Sequence, residues 1–480
     1  MATKFHFINN EFIEGSSAST YAVHNPADDT LVGNINLARE TEVDAAVSAA
    51  RAAFESGPWS TMKGAERGVL LNKLADLIQA SGDELAKAEA QAMGQPVAAN
   101  AAVVLPLGVG HFRYIAGWAD KIEGQTWPVE DGWWRYTQYE PYGVCAGIGP
   151  WNVSLLTFAW KVGTALATGN TVVYKNSEKT PYGVLVLARL VKEAGFPPGV
   201  VNIVSGDGVT GSLLAHHMDI DKISFTGSGP SGQKVLEAAA KSNNKKVTLE
   251  LGGKSPSLVF EDANLDNALV MNSDMFLFNN AQACIAASRL FVQSSIADKF
   301  IEGLKARFEG AVQAIGDPSA PTTMQGPLAD LKQLERVLGY IEAGKSEGTL
   351  AVGGARHGDT GAFVKPTIFL NPSKTGKIYR EEIFGPVLVI STFETEEEAI
   401  EMANDTSYGL SACVYTGSTS RALRVASKIK AGTIGVNGAF APDNNTPFGG
   451  YKQSGIGREL GKEGLYAYLQ AKSVRVNMNV

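Results

Sequence analysis

The chain has 480 residues, is 44% hydrophobic and 19% charged, and carries a formal net charge of −7. That length exceeds what one hydrophobic core serves, so two or more domains are expected in a soluble protein. With no basic run and no apolar stretch of membrane-spanning length, neither a nucleic-acid nor a membrane partner is expected.

The N-terminal MATKFHFINNEF has no apolar signal core and is not rich in Arg and Ser, so no targeting segment is expected. Three cysteines argue against a disulfide framework and fit a reducing compartment, hence a cytoplasmic protein. Between 42 and 56, Val43, Ala46, Val47, Ala50, Ala53 and Phe54 recur at helical spacing. A second helix fits 64–80. From about 143 the texture becomes short apolar runs alternating with helices. The runs 143–149, 171–175, 200–204, 221–225 and 247–251 read as strands, and 184–195 as a helix capped by Gly195 and stopped by Pro197-Pro198. The alternation resumes with 257–260, a helix through 264–280, a strand 289–293 and a helix over 297–314. It ends with a strand 387–393, a helix 395–405, a strand 410–416, a helix 418–430 and a strand 433–437. Such alternation predicts mostly parallel sheets in two α/β domains, with a boundary near 252. The aromatic-polar alternation of 133–142, with 472–480, predicts a two-stranded arm outside both cores.

Several stretches carry chemistry. FTGSGPSG (225–232) fits the dinucleotide pattern G-x-G-x-x-G through Gly227, Gly229 and Gly232, between a strand-like and a helix-like run. Glu250 lies about twenty residues on, where that pattern places a ribose ligand. It also sits in LELGGKSP, beside glycines that would let a carboxylate face a cleft as a general base. Both roles are open at this point. Cys284, among small residues in NNAQACIAASR, is a candidate nucleophile. Cys145 and Cys413 sit inside apolar strand runs and read as core. Asn152, in GPWNVS after a strand, offers an amide donor for an oxyanion. Lys175 and Glu178, in KNSEKTP just beyond a strand, suit ribose or phosphate oxygens, and the carboxylate would repel a 2′-phosphate. Glu382 and Phe384, in EEIFGPV, could clamp a ribose and a flat ring. No HExxH, Walker A, GxSxG or zinc-type CxxC pattern occurs in the sequence, so neither a metal site nor a histidine-dependent triad is expected.

Taken in order, GPWN, K-x-S-E-x-TP, FTGS-x-x-x-G, LELGGKSP, Q-x-C-x-A-x-S-R, EEIFGPV and PFGGYK-x-SG-x-G-RE resemble the aldehyde dehydrogenase superfamily, of the hydrolytic, non-acylating type. The motifs run from 149 to 459, and the flanking segments fit too. The resemblance implies an α/β fold with a Rossmann-like cofactor-binding domain (1–122 and 142–252). It implies a second α/β catalytic domain (253–452) and a small β-strand oligomerisation arm (123–141 and 453–480). It implies NAD as cofactor, with NADP possible, a small-molecule aldehyde as substrate, and a homodimer or homotetramer. Cys284 matches the nucleophile, Glu250 the general base and Asn152 the oxyanion donor. Lys161 and Glu459 match a buried pair behind Glu250. Trp151, Lys175, Glu178, Gly208, Gly227, Ser228, Leu251, Gln333, Glu382 and Phe384 match cofactor contacts. Val153, Thr157, Trp160, Phe278, Ile285 and Phe448 match the substrate tunnel. The resemblance thus moves Glu250 away from the ribose and gives that contact to Glu178.

Two departures stand out: Gly229-Pro230 in the cofactor turn, where the family's usual form is G-S-T, and Ser154, where the family often has proline. The tunnel positions are mostly apolar and hold no arginine, which favours aliphatic or aromatic aldehydes. Trp160 and Phe448, with Asp443 near the mouth, leave a betaine-aldehyde-like trimethylammonium substrate as the alternative. An ordinary two-domain Rossmann dehydrogenase acting on alcohols, and a non-catalytic structural relative, are the competing classes.

Overall fold

The structure is a computed structural model and describes residues 4–439 and 441–480. Among the described residues, an eight-stranded sheet carries five parallel strands at its centre. Val144–Ile148 lies in the middle, with Thr171–Ser177 and Val201–Gly206 on one side and Lys222–Thr226 and Lys246–Glu250 on the other. The chain therefore reverses its direction of travel across the sheet beside Val144–Ile148. A crevice opens at the carboxyl ends of the strands at such a point. Val144–Ile148 and Thr171–Ser177 are buried throughout, because helices cover both faces. Two of those helices are Gly64–Ala80, which turns Leu71, Leu74 and Ile78 inward, and Pro181–Ala194, which buries Val184, Leu187 and Val191.

Antiparallel strands extend this sheet at both edges. His6–Ile8 and Glu11–Ile13 close one side, and Gly455–Ile456, from near the end of the chain, pairs with Leu249 and Glu250 on the other. Residues of the expected 453–480 bridging segment thus join the first sheet. Leu460, Leu465 and Tyr468 are buried in the same core as Phe112, Phe158 and Tyr174.

A second sheet orders Thr349–Val352, Thr367–Leu370, Val387–Phe393, Arg289–Gln293, Pro256–Val259, Ser411–Tyr415 and Thr433–Val436. All its neighbours are parallel except the first pair. Cys145 and Cys413 lie buried in strands of the two sheets. The projecting arm has three strands rather than two. Trp133–Pro141 pairs along its whole length with Leu469–Asn477 and on its other side with Thr126–Glu130. The third strand, TWPVE, is exposed at every position, so no buried alternation announces it. The expected helix through 264–280 ends early. Leu265–Ser273 is helical, but Asn279, Asn280 and Ala281 all take positive φ near 50°. No helix among the described residues is long and apolar enough to cross a membrane.

Two buried histidines tie distant segments together. His6 Nδ1 accepts from the Ser205 amide at 3.2 Å. His111 lies 3.1 Å from the Thr164 hydroxyl and 3.3 Å from Asn444 Oδ1. Burial pushes both imidazoles down to about 4. The unfolded chain therefore binds protons that the folded chain refuses, and stability is lost as pH falls from 6.5 toward about 4. We expect each histidine to cost about 2 kcal/mol between pH 7 and pH 5. In thermal melts at the two pH values, His111→Gln should show a smaller acid-induced drop than the unaltered protein.

Candidate active site

The carboxyl ends of the parallel strands line a cavity of about 1210 Å³. Trp151, Asn152, Glu178, Gly208, Gly227, Ser228, Glu250 and Leu251 all come from those ends. The second sheet meets the same cavity with its opposite end, through loops that precede its strands. Cys284 lies ahead of Arg289–Gln293, and Glu382 and Phe384 ahead of Val387–Phe393.

Residues 250–253 join the two halves. Glu250 ends its strand, and Gly252 and Gly253 follow. A Cβ on Gly252 would sit 2.1 Å from Glu382 Oε2, and one on Gly253 would sit 2.4 Å from the Cys284 carbonyl oxygen. Neither position tolerates a side chain while Glu382 and Cys284 stay in place. The Gly253 amide donates to Glu382 Oε1 at 3.1 Å. Burial nonetheless pushes the Glu382 carboxyl up to about 7.

Cys284 is partly exposed at the cavity. Its apolar surroundings push the thiol up to about 12, and the carboxyls of Glu382 and Glu250 add to the shift. The backbone amides of Cys284 and Ile285 pull the other way. Glu250 is buried, and neither of its carboxyl oxygens has a hydrogen-bond partner. Burial and the neighbouring Glu459 hold it well above the usual carboxylate range, against Lys161 and Arg458. A buried carboxyl without partners is expensive, and here it shares the cavity with a thiol.

Behind Glu250, Lys161 Nζ donates to Glu459 Oε1 at 2.5 Å and to the Ser224 hydroxyl at 3.0 Å. Ser224 in turn donates to Glu459 at 3.1 Å. Lys161 stands on a stretch, Ala159–Gly163, where the helix widens to a π-turn. Such turns recur at functional sites. Lys161 and Glu459 do not line the cavity themselves.

Asn152 Nδ2 donates to the Gln282 carbonyl at 2.8 Å, which commits one of its two N–H groups. The Asn152 carbonyl accepts from Asn279 Nδ2 at 3.1 Å. The left-handed turn at 279–281 thus ties the Cys284 loop to the Asn152 turn. Asn280 holds that turn from below, donating to the carbonyls of Gly326 and Pro327. Nothing in hydrophobic periodicity signals this. Only the Asn-Asn pair, tolerant of positive φ, hints at it.

At the far end, Lys175 is the fifth residue of the strand Thr171–Ser177, which runs two residues past the expected 171–175 and takes in part of the KNSEKTP stretch. Its Nζ lies 3.8 Å from Glu178 Oε2 and donates to the Asn176 carbonyl at 3.0 Å. Burial holds its ammonium below the ordinary lysine range. Space beside Gly208 and Gly229 is open, with nothing within 4 Å of a Cβ built there. Ser228 precedes the helix Gly229–Lys241 without capping it by a side-chain bond, since its hydroxyl goes to Ser231. The first-turn amides can therefore meet an anion. Pro230 lies in that turn and removes one donor, at no cost to the helix. Phe384 is held at φ 59°. Gln333 Nε2 donates to its carbonyl at 2.8 Å, and its ring meets Trp151 edge to face at 5.2 Å. Open glycines, an uncommitted helix start and two carboxyl-bearing loops fit an extended dinucleotide.

Val153, Thr157, Trp160, Phe278, Ile285 and Phe448 line the third branch of the cavity. Trp160 and Phe448 pack ring against ring at 5.1 Å. Val104, Leu107, Leu156, Met271 and Met275 also line the cavity and were not picked out from sequence. They sit in helices, or for Met275 in the turn just past one, and their pattern gives no sign that they face a ligand. Asp443 does not line the cavity, and its carboxyl accepts from the Asn445 amide within its own turn. Among the described residues, no cluster of His, Cys, Asp and Glu could hold a metal ion.

The family model for the aldehyde dehydrogenase family matches residues 12–474. The chain belongs to the aldehyde dehydrogenase family. It is 49% identical to an aldehyde dehydrogenase of Davidiella tassiana over 474 residues, which is 98% of this chain and 95% of that one. Its fold superposes with a TM-score of 0.97 on the NAD+ complex of an aldehyde dehydrogenase from Bacillus cereus, 45% identical, covering 99% of this chain and 97% of that one. It is also similar to betaine aldehyde dehydrogenase from Staphylococcus aureus, at TM-score 0.96 and 36% identity, covering 100% of this chain and 95% of that one. The two-sheet α/β architecture, with its Rossmann-like first sheet, is the fold of this family.

In this family member the Lys161–Glu459 pair is a buried ion pair, and removing one partner leaves the other stranded. Lys161→Met alone should lower the unfolding free energy by about 3–5 kcal/mol. Lys161→Met with Glu459→Leu should recover part of that loss. Urea unfolding of the three proteins checks it, and strictly additive losses would contradict the pairing.

Proposed function

We propose that the chain oxidises an apolar aldehyde to its carboxylic acid, with Cys284 as nucleophile and NAD as hydride acceptor. The observation that carries this is the convergence of Cys284, Glu250 and Asn152 on one cavity, with a dinucleotide-shaped groove leading to it. The division of labour follows the crossing at 252–253. The first unit, including the edge strand at 455–456, holds the cofactor, and the second presents the thiol.

Cys284, deprotonated to solvent water in the cavity, attacks as the thiolate, and its Sγ bonds to the aldehyde carbon. The carbonyl electron pair moves onto oxygen, where the second N–H of Asn152 and the Cys284 amide hold it. When bound, the nicotinamide would supply the acceptor for the hydride that the former aldehyde carbon loses as the oxyanion collapses to a Cys284 thioester, and a positive charge near the thiol. Glu382 and Lys175 with Glu178 would hold its two riboses, and Phe384 would lie against its ring. Glu250 then takes a proton from water, and the hydroxide formed hydrolyses the Cys284 thioester, releasing the acid and the thiol. Lys161, Ser224 and Glu459 receive the charge change behind Glu250.

The thiol rests protonated at neutral pH, because burial raises it, and burial with the neighbouring Glu459 holds Glu250 above the usual carboxylate range. Turnover should therefore climb as pH rises above neutrality, and Glu250→Gln should remove part of that climb. In stopped flow, Glu250→Gln should retain a burst of reduced nicotinamide followed by slow turnover, and Cys284→Ala should show neither. If Glu250→Gln only raised the Michaelis constant for NAD, the base assignment would fall.

The tunnel walls are apolar, so aliphatic and aromatic aldehydes fit best. The Trp160–Phe448 ring pair supports a trimethylammonium aldehyde as the second reading, but Asp443 is not there to assist it. An aldehyde panel that ranks trimethylammonium above aliphatic substrates would reverse the order. Glu178 opposes a 2′-phosphate, so NAD should exceed NADP at least tenfold in kcat/KM, and Glu178→Gln should narrow the gap. Equal efficiency in the unaltered enzyme would contradict the charge argument.

A further inference from the structure

The Asn152 turn is held from behind by a helix that the mechanism above does not use. Glu89, on the helix Gly82–Met93, is a buried carboxyl. Its Oε1 accepts the hydroxyl of Ser154 at 2.5 Å. Ser154 is two residues past Asn152 and opens the helix Ser154–Phe158, whose preceding residue, Val153, gives it no side-chain cap. The fold makes room for this carboxyl: Gly183, on a neighbouring helix, would put a Cβ 2.3 Å from Glu89 Oε1. Gln95, just past the same helix, reaches the same turn, with Nε2 3.4 Å from the Asn152 carbonyl oxygen. Gln95 is itself fixed by Asn100 at 2.8 Å. One helix and its C-terminal turn thus grip the Asn152 segment at two points, Asn152 and Ser154.

A buried carboxyl is costly to keep, and burial pushes this one up to about 7. Packing alone would be served by a leucine. We infer that Glu89 is a positioning residue for aldehyde oxidation, acting through Ser154 to fix the turn that aims the Asn152 amide at the developing oxyanion. The inference rests on the oxyanion role proposed for Asn152. A donor that shifts by a fraction of an ångström loses much of its hold on the transition state while substrate and cofactor still bind.

The test compares Glu89→Leu, Glu89→Gln, Ser154→Ala, the Glu89→Leu/Ser154→Ala double variant and Asn152→Ala. Each is assayed with a short aldehyde for the single-turnover rate of nicotinamide reduction, for NAD affinity by fluorescence, and for thermal midpoint. Glu89→Leu and Ser154→Ala should each slow the oxidation step at least tenfold with NAD affinity unchanged within twofold. Glu89→Gln, which still accepts the Ser154 hydroxyl, should restore the rate to within about threefold of the unaltered enzyme. The double variant should be no slower than the slower single.

A lower thermal midpoint in Glu89→Leu with an unchanged rate would reduce Glu89 to a packing role and overturn the inference. Multiplicative losses in the double variant would do the same, since the two residues would then act separately. If Asn152→Ala itself left the oxidation rate unchanged, the oxyanion assignment would fail first. A slow Asn152→Ala with a normal Glu89→Leu would sink only the positioning claim.

Discussion

Two consecutive glycines decide the geometry of the whole molecule. At 252 and 253 the chain leaves the last parallel strand of one sheet and enters the first strand of the other. It passes so close to the Glu382 carboxyl and the Cys284 carbonyl that only hydrogen fits at either Cα. That passage puts Glu250 on one side of the cavity and draws two loops of the second sheet to the other. The crevice at the reversal point of the first sheet would exist without it. What the crossing adds is a thiol and a second carboxyl at the mouth of that crevice.

The site accumulates costs that the surrounding structure absorbs. Glu250 is buried without a partner, Phe384 stands at positive φ, and three successive residues before Cys284 turn left-handed. The two strained segments, and the Glu382 carboxyl beside them, are tied to something rigid. Gln333 holds the Phe384 carbonyl, Asn280 holds two carbonyls of the 326–327 segment, and the Gly253 amide steadies Glu382. Strain concentrated in this way, with the compensating bonds one layer out, is how a fold keeps reactive groups in unfavourable places.

The sequence shows the alternation of strand and helix plainly, because the central strands are buried on both faces and read as unbroken apolar runs. Cys284, Glu250 and Asn152 are legible for another reason: glycines and small residues flank them in a recognisable order. The left-handed turn at 279–281 is not legible, since its reward is a set of bonds to Asn152 and to residues 326–327, far along the chain. That the strand carrying Lys175 runs on through Asn176 and Ser177 is not legible either, because these polar residues add no apolar signal yet still pair with the neighbouring strand. The strand Thr126–Glu130 escapes notice because no face of it is buried. Glu89 looks like one more acid on an amphipathic helix. Only its meeting with Ser154, 65 positions away, sets it apart.

The first sheet is not finished by the first half of the chain. Its edge beside Glu250 is closed by Gly455–Ile456, and Glu459, from the same segment, neutralises Lys161 inside its core. During synthesis the ribosome has already made the parallel strands, the thiol loop and the whole second sheet before these residues emerge. Until they do, Lys161 is a lone cation facing an apolar interior, and the strand Lys246–Glu250 presents an open edge. Assembly of the first sheet therefore waits for residues 455–459. The nascent protein passes through a state whose exposed strand edge invites the pairing errors that chaperones exist to prevent.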